Sequence, residues 1–187
     1  MARLPRLVIP GQLHLVMQRS HHTHPVFRCD EDFTRYLHFL RELAATTGVV
    51  VHAYALTPEQ VFLLVTPSTQ TSIGRLFQAL GKRFGADYNR RHGRTGSLWE
   101  GRFRATVVEA EVHLLNGMRY VESAPVRFNL AEAAHEYPWS SAAHHVGRCT
   151  DGMISEHSLY WQLGNTPFER EAVYANLLNQ PLPSALQ

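Results

Sequence analysis

The chain has 187 residues, of which 44% are hydrophobic, 10% aromatic and 18% charged, with 12 glycines and 10 prolines. It therefore carries enough apolar material for a packed core, which excludes a disordered, collagenous or low-complexity protein. A length of this size suits one domain with an appendage better than two independent cores, and the expected division is residues 1–130 followed by a helical C-terminal extension, 131–187.

The formal charge of +2 hides an asymmetry. Residues 75–104 carry eight basic side chains (Arg75, Lys82, Arg83, Arg90, Arg91, Arg94, Arg102, Arg104) against Asp87 and Glu100, whereas residues 105–187 carry four basic against nine acidic. A basic centre followed by an acidic tail suggests a polyanionic partner. No stretch approaches the roughly 20 apolar residues of a membrane span. The first ten residues hold too short an apolar run for a signal peptide, so no membrane partner and a cytoplasmic location are expected. Cys29 and Cys149 are far apart and form no CxxC unit, so buried free thiols are expected rather than a disulfide framework or a thiolate metal site.

In chain order, His14–Gln18 reads as a short apolar strand ended by the polar run Arg19–Pro25. A helix follows from Asp30 or Asp32, with Phe33, Tyr36, Leu37, Leu40 and Leu43 at helical spacing and Gly48 as its stop. Val49–Leu56 and Val61–Val65 are rich in β-branched and aliphatic residues on either side of a Pro58 turn and predict an antiparallel hairpin. From Ser72 to about Arg91, the apolar set Ile73, Leu76, Phe77, Leu80, Phe84 and Tyr88 predicts a long basic amphipathic helix. Gly93 and Gly96 break it, 103–108 gives a fourth strand, and 109–123 a helix with Val112, Leu115 and Tyr120 on one side. Further short helices are predicted near 139–146 and 167–178. The order β-α-β-β-α-β is the split βαβ, ferredoxin-like pattern: an α+β fold with a four-stranded antiparallel sheet, two helices on one face and additional C-terminal helices.

Such a fold hosts many functions, so residues must decide. Three segments stand out: the hairpin 53–65, the block Gly93–Phe103, and Arg119–Arg127 with Tyr137-Pro-Trp-Ser-Ser141. Together with Pro5-Arg6, Ile9-Pro-Gly11 and His157-Ser-Leu-Tyr160, they make the chain resemble, over nearly its whole length, the REP-associated and insertion-sequence-type transposases of the single-tyrosine HUH superfamily. The resemblance implies a site in which a His-hydrophobe-His strand, and a polar side chain one helical turn after a tyrosine, hold Mg²⁺ or Mn²⁺. The tyrosine hydroxyl attacks the scissile phosphate, giving a 5′-phosphotyrosine and a free 3′-OH. Carried over by position, the nucleophile is Tyr120 and the three ligand positions are Gln60, Phe62 and Ala124. One neutral amide oxygen is far from the donor set a hard dication requires, so no metal cofactor is expected and cleavage is expected to be lost.

Substitutes for the lost ligands are weak. His22 and His24 lie in a loop, and His14 and His52 read as packed strand histidines. Glu59 and Glu122 would act as general bases only if close to Tyr120, and otherwise read as solvated.

The basic residues Arg83, Arg90, Arg91, Arg94, Arg102 and Arg104, with Tyr88, Trp99 and Phe103 interleaved, offer phosphate contacts and stacking surfaces for unpaired bases. The resemblance implies a DNA hairpin or single-stranded DNA as partner, and leaves monomer and homodimer both open. The expectation is a transposase-like DNA-binding protein. The alternatives are an active transposase with a rebuilt metal site, and a protein-interaction module that does not touch nucleic acid.

Overall fold

The computed structural model describes residues 7–21 and 25–183; His22 and His24 lie outside them. The six elements of the expected pattern follow in order: β1 (Leu13–Arg19), α1 (Asp30–Thr47), β2 (Val49–Thr57), β3 (Gln60–Pro67), α2 (Ser72–Arg91) and β4 (Arg104–Val108). The sheet order is β2-β3-β1-β4 and every neighbouring pair is antiparallel, as the split βαβ pattern requires. The first strand thus becomes a central one, with Met17 opposite Phe62 on one side and Arg104 on the other.

Helix α1 stops where Gly48 takes a left-handed φ of 68° and sits so close to Ser68 that any added Cβ would collide with that hydroxyl. Helices α1 and α2 cover one face of the sheet. Val16, Tyr54, Leu56, Val61, Leu63 and Val65 supply the sheet side of this core, against Tyr36 and Leu40 of α1 and Leu76, Phe84 and Tyr88 of α2. A bulge at His52 shifts the register of β2 between Val51 and Ala53. Because the side-chain period of a strand is two, the extra residue lets Val49 and Val51 share this face with Tyr54 and Leu56.

The opposite face presents Leu13, Ala53, Ala55, Phe62 and Leu64 to α3 (Ala110–Glu122). The inward residues of α3 are Leu114, Met118 and Val121, whereas Val112 is 59% exposed. This corrects the prediction for Val112, whereas Leu115 and Tyr120 are partly buried and pack against the same core. Gly117 sets the orientation, since a Cβ there would lie 3.3 Å from Leu64 Cδ1, so the helix can approach the sheet closely only along this side.

The remaining chain forms α4 (Ala124–Arg127), a 3₁₀ turn (Ala134–Glu136), α5 (Ala142–His145), α6 (Ser158–Trp161) and α7 (Pro167–Leu178). The helix predicted over 139–146 is reduced to the single turn α5, because its start is tied to the edge of β2. The Leu56 N–H donates to Trp139 O at 2.9 Å and the Ser141 N–H to Tyr54 O at 3.0 Å. Ile154 makes a further bridge to Val51, and the Trp139 ring stacks on Phe33 at 4.9 Å.

Glu122 is completely buried, not solvated. It accepts hydrogen bonds from the Ser141 hydroxyl, from His145 Nδ1 at 2.6 Å and from the Tyr174 hydroxyl at 2.6 Å, so one carboxylate joins α3 to α5 and α7. Both cysteines are free but exposed, against the expectation of burial; Cys29 caps the surface end of α1 and Cys149 follows α5 in a loop.

Three histidines are held as neutral rings. His14 donates from Nδ1 to Gln12 O and accepts the Ile9 N–H at Nε2. His52 donates from Nδ1 to Ser155 O and accepts the Thr66 hydroxyl, and His144 accepts the Asp151 N–H. Burial lowers all three pKa values below the ordinary 6.5. The unfolded chain therefore binds more protons than the folded one as pH falls through 6.5, and stability must decline there. Buried Asp32 and Asp87 and half-buried Asp151 are held below 3.8 and act only in a more acid window. Urea unfolding followed from pH 7.5 to 5.5 should show a midpoint that is level above about 7 and falls below 6.5.

Candidate nucleic-acid interface

The side chains of Gln60 and Phe62 project to the α3 side of the sheet by strand alternation. Phe62 is 2% exposed; its ring lies 6.2 Å from that of Tyr120 and 6.1 Å from that of Phe128. The Tyr120 hydroxyl donates to Met17 Sδ at 3.9 Å, a weak acceptor and no base. The Arg127 guanidinium sits 4.1 Å over the Tyr120 ring and donates to Tyr120 O and Ser123 Oγ. Ala124, one turn on, is fully buried.

Phe62 and Tyr120 are thus brought into contact, with Gln60 and Ala124 one strand repeat and one helical turn away. A phenyl ring and a methyl group offer no donor atom, and one amide oxygen falls well short of the six or so that Mg²⁺ or Mn²⁺ takes. The residues present do not fit the metal that the resemblance implies. Glu122 gives Tyr120 no base, because its oxygens are occupied on the far side of α3. Glu59 lies exposed in the β2–β3 turn.

The arginines divide into two groups. Arg83 pairs with Glu42 at 2.9 Å and lies over the Phe39 ring. Arg91, 15% exposed, bridges Asp87 at 2.9 Å and Asp32 at 2.7 Å, and Arg90 pairs with Asp87 at 2.9 Å. Asp32 also takes the N–H groups of Arg28 and Cys29 and the His92 Nε2. Burial alone would raise its carboxyl, but the His92, Arg28 and Arg91 hydrogen bonds hold it below the ordinary value. Arg83 and Arg91 fasten α2 to α1, and Arg90 is paired within α2. Trp99 is 6% exposed and packs edge-on to Tyr36 and Phe27 at 6.1 and 6.4 Å, while Phe103 stacks on Phe77 at 4.5 Å. Tyr88 is fully buried, and Arg94 is half-buried in the loop after α2.

The second group comprises Arg19, Arg75, Arg102 and Arg104, all exposed. Each is without an ion-pair or side-chain hydrogen-bond partner among the described residues. They border two grooves. The first, of about 670 Å³, runs between α2 and residues 97–103; its floor includes Phe77, Trp99 and Phe103, and its walls include Gln78, Arg75 and Arg102. Gly74 and Gly81 leave the α2 wall smooth, since an added Cβ at either would meet nothing within 4 Å. The second, of about 380 Å³, lies beyond the end of the sheet, lined by Met17, Arg19, Gln60, Arg102, Arg104 and Glu100. Gln18 and Arg102 line both grooves, so the two adjoin.

Of the predicted contact residues, Arg102 and Arg104 border this surface and Trp99 contributes only to its floor. Arg19 and Arg75 escaped sequence reasoning. Their signals were the strand alternation that sets Arg19 on the face of Met17, and the i, i+7 glycines flanking Gln78 on one side of α2.

The fold matches that of a REP-associated tyrosine transposase solved bound to a REP hairpin, with a TM-score of 0.66 over 84% of this chain and 92% of that one at 14% identity. The chain thus has the fold of the transposases it resembles in sequence. A candidate transposase from Deinococcus radiodurans R1 aligns with 60% of this chain and 91% of its own length, at 19% identity and a TM-score of 0.45. No protein-family model matches the chain, and no curated protein matches its sequence.

Arg91→Ala should unfold the protein more readily by about 3 kcal/mol, because it leaves a buried carboxylate underpaired, while the affinity of the remaining folded protein for nucleic acid should change less than in Arg102→Ala. Urea titration alongside fluorescence anisotropy separates the two effects.

Proposed function

We propose that the chain is a transposase-like protein that binds a DNA hairpin or single-stranded DNA and does not cleave it. The observation that carries this reading is the pair of adjoining grooves bordered by four arginines that have no ion-pair partner among the described residues. Unpaired guanidinium groups along a channel neutralise successive phosphates, release counterions and bind with strong salt dependence. The aromatic floor of Phe77 and Phe103 and the bare α2 wall leave room for bases beside the backbone track. A structural relative captured with a DNA hairpin supports the choice of ligand.

Absence of cleavage follows from the chemistry around Tyr120. Attack by a phenol hydroxyl needs a base to take its proton or a cation to stabilise its oxyanion. The hydroxyl instead faces a thioether, and Phe62 and Ala124 stand where the resemblance implies ligands. No metal cofactor enters this function. No helix among the described residues is long and apolar enough to cross a membrane, and the proposed location is the cytoplasm, where DNA is accessible.

End-labelled hairpin oligonucleotides incubated with the protein, with and without Mn²⁺, and run on native and denaturing gels test both halves of the reading. A shifted band that disappears on denaturation is expected. Arg75→Ala with Arg102→Ala should weaken binding at least tenfold and reduce the slope of log affinity against log salt by roughly 1.4, about 0.7 per lost contact to a single strand. Absence of any shift would overturn DNA binding. A denaturation-resistant adduct lost in Tyr120→Phe would make the protein an active enzyme.

A further inference from the structure

The second groove differs from the first in chemistry. Its floor is polar, and strand geometry puts its cations there. Arg19 of β1 is the register partner of Gln60 of β3, and Arg104 of β4 is the partner of Met17. All four side chains therefore project from the α3 side of the sheet at one end, and Arg102 enters from the loop before β4. Three arginines gather here against a single acidic lining residue, Glu100, and none of the three has an anionic partner among the described residues. Like charges held on neighbouring strands repel, and an anion seated between them relieves that cost. The guanidinium fork matches the oxygens of a tetrahedral oxyanion, and the Gln60 amide adds a neutral donor.

We infer that this groove is a metal-independent phosphate site, in which Arg19, Arg102 and Arg104 hold the oxygens of one phosphate group of a nucleic-acid strand. The assignment rests on the DNA-binding reading for the identity of that strand. It goes beyond it in naming a second locus, its ligand chemistry and its independence of divalent metal. The strand arrives through Gln18 and Arg102, common to both grooves. Met17 both lines the floor and accepts the Tyr120 hydroxyl, so the phosphate comes to rest one side chain away from the tyrosine. Guanidinium charge then stands beside Gln60, one of the three positions where the resemblance implies a metal ligand. The phosphate is either an internal phosphodiester or a terminal phosphate; both present the same oxygens.

The test compares a blunt hairpin with one carrying a single-stranded tail, by fluorescence anisotropy in EDTA, on the wild-type protein and on Arg19→Ala/Arg104→Ala. Arg102 is left intact because both grooves use it. The tailed hairpin should bind wild type about tenfold tighter than the blunt one, and the double variant should lose that advantage, weakening for the tailed hairpin far more than for the blunt one while its thermal midpoint stays in place. A 5′-phosphate that tightens the tailed hairpin further identifies the ligand as a terminal phosphate; equal binding with a 5′-hydroxyl identifies an internal phosphodiester. A tail advantage that survives in the double variant, or that appears only with Mn²⁺, overturns the site. If no hairpin binds at all, the DNA-binding reading fails on its own, and inorganic phosphate titrated into ¹⁵N-labelled protein decides the groove. Shifts of the amide signals of Gln18, Arg19, Gln60 and Arg104 that vanish in the double variant support it, and their absence overturns it.

Discussion

Strand β3 is apolar on both faces: Val61, Leu63 and Val65 point one way, Phe62 and Leu64 the other, and all five are at most 2% exposed. A strand of this kind requires two covers, and the architecture follows from that demand. Helices α1 and α2 supply one layer. The other cannot be supplied by α3 alone, whose inward face offers little beyond Leu114, Met118 and Val121, so the C-terminal segment completes it with Tyr160, Tyr174 and Leu178. The buried Glu122 carboxylate fixes this second cover in one place. A charge taken out of water must find hydrogen-bond donors, and it finds them in Ser141, His145 and Tyr174, which the chain must therefore deliver to it.

The second groove lies at the Arg19 and Gln60 end of the sheet, where polar side chains take over from apolar ones along the same strands. The sheet thus presents a charged end next to a dry centre. Tyr120 stands at the boundary, between Phe62 on the apolar side and Met17, which is shared with the charged groove.

The element order and nearly all the core of α1, α2 and the hairpin were legible in the sequence, because each element carries a full run of apolar residues at its own period. The bulge at His52 was not, since one extra residue changes the facing of half a strand without changing its composition. On α3 only Val112 was misplaced, because an apolar side chain reads the same in the sequence whether it is buried or, as here, exposed. The basic surface was legible as a density of arginines but not as a surface. Arg83, Arg90 and Arg91 lie in the same charged run as Arg102 and Arg104, yet the first three meet Glu42, Asp32 and Asp87. Two of those carboxylates belong to α1, some forty or more positions earlier, and only the packing of α1 on α2 reveals that the positive charge is spent there.

This sorting explains how an apolar tyrosine site and the proposed nucleic-acid surface can coexist. Phe62 and Ala124, at positions where the resemblance implies metal ligands, bury no polar donors and let α3 pack directly on β3, which favours the fold. They also offer no cation that would draw a phosphate to this end of the sheet. Arg19, Arg102 and Arg104 supply cations from outside the core, on exposed positions where their charges cost little solvation. Attraction for a phosphate and the capacity to activate a nucleophile are thereby separated. The first needs only cations at the rim, whereas the second needs a Lewis acid or base in contact with the hydroxyl, where this chain places a thioether.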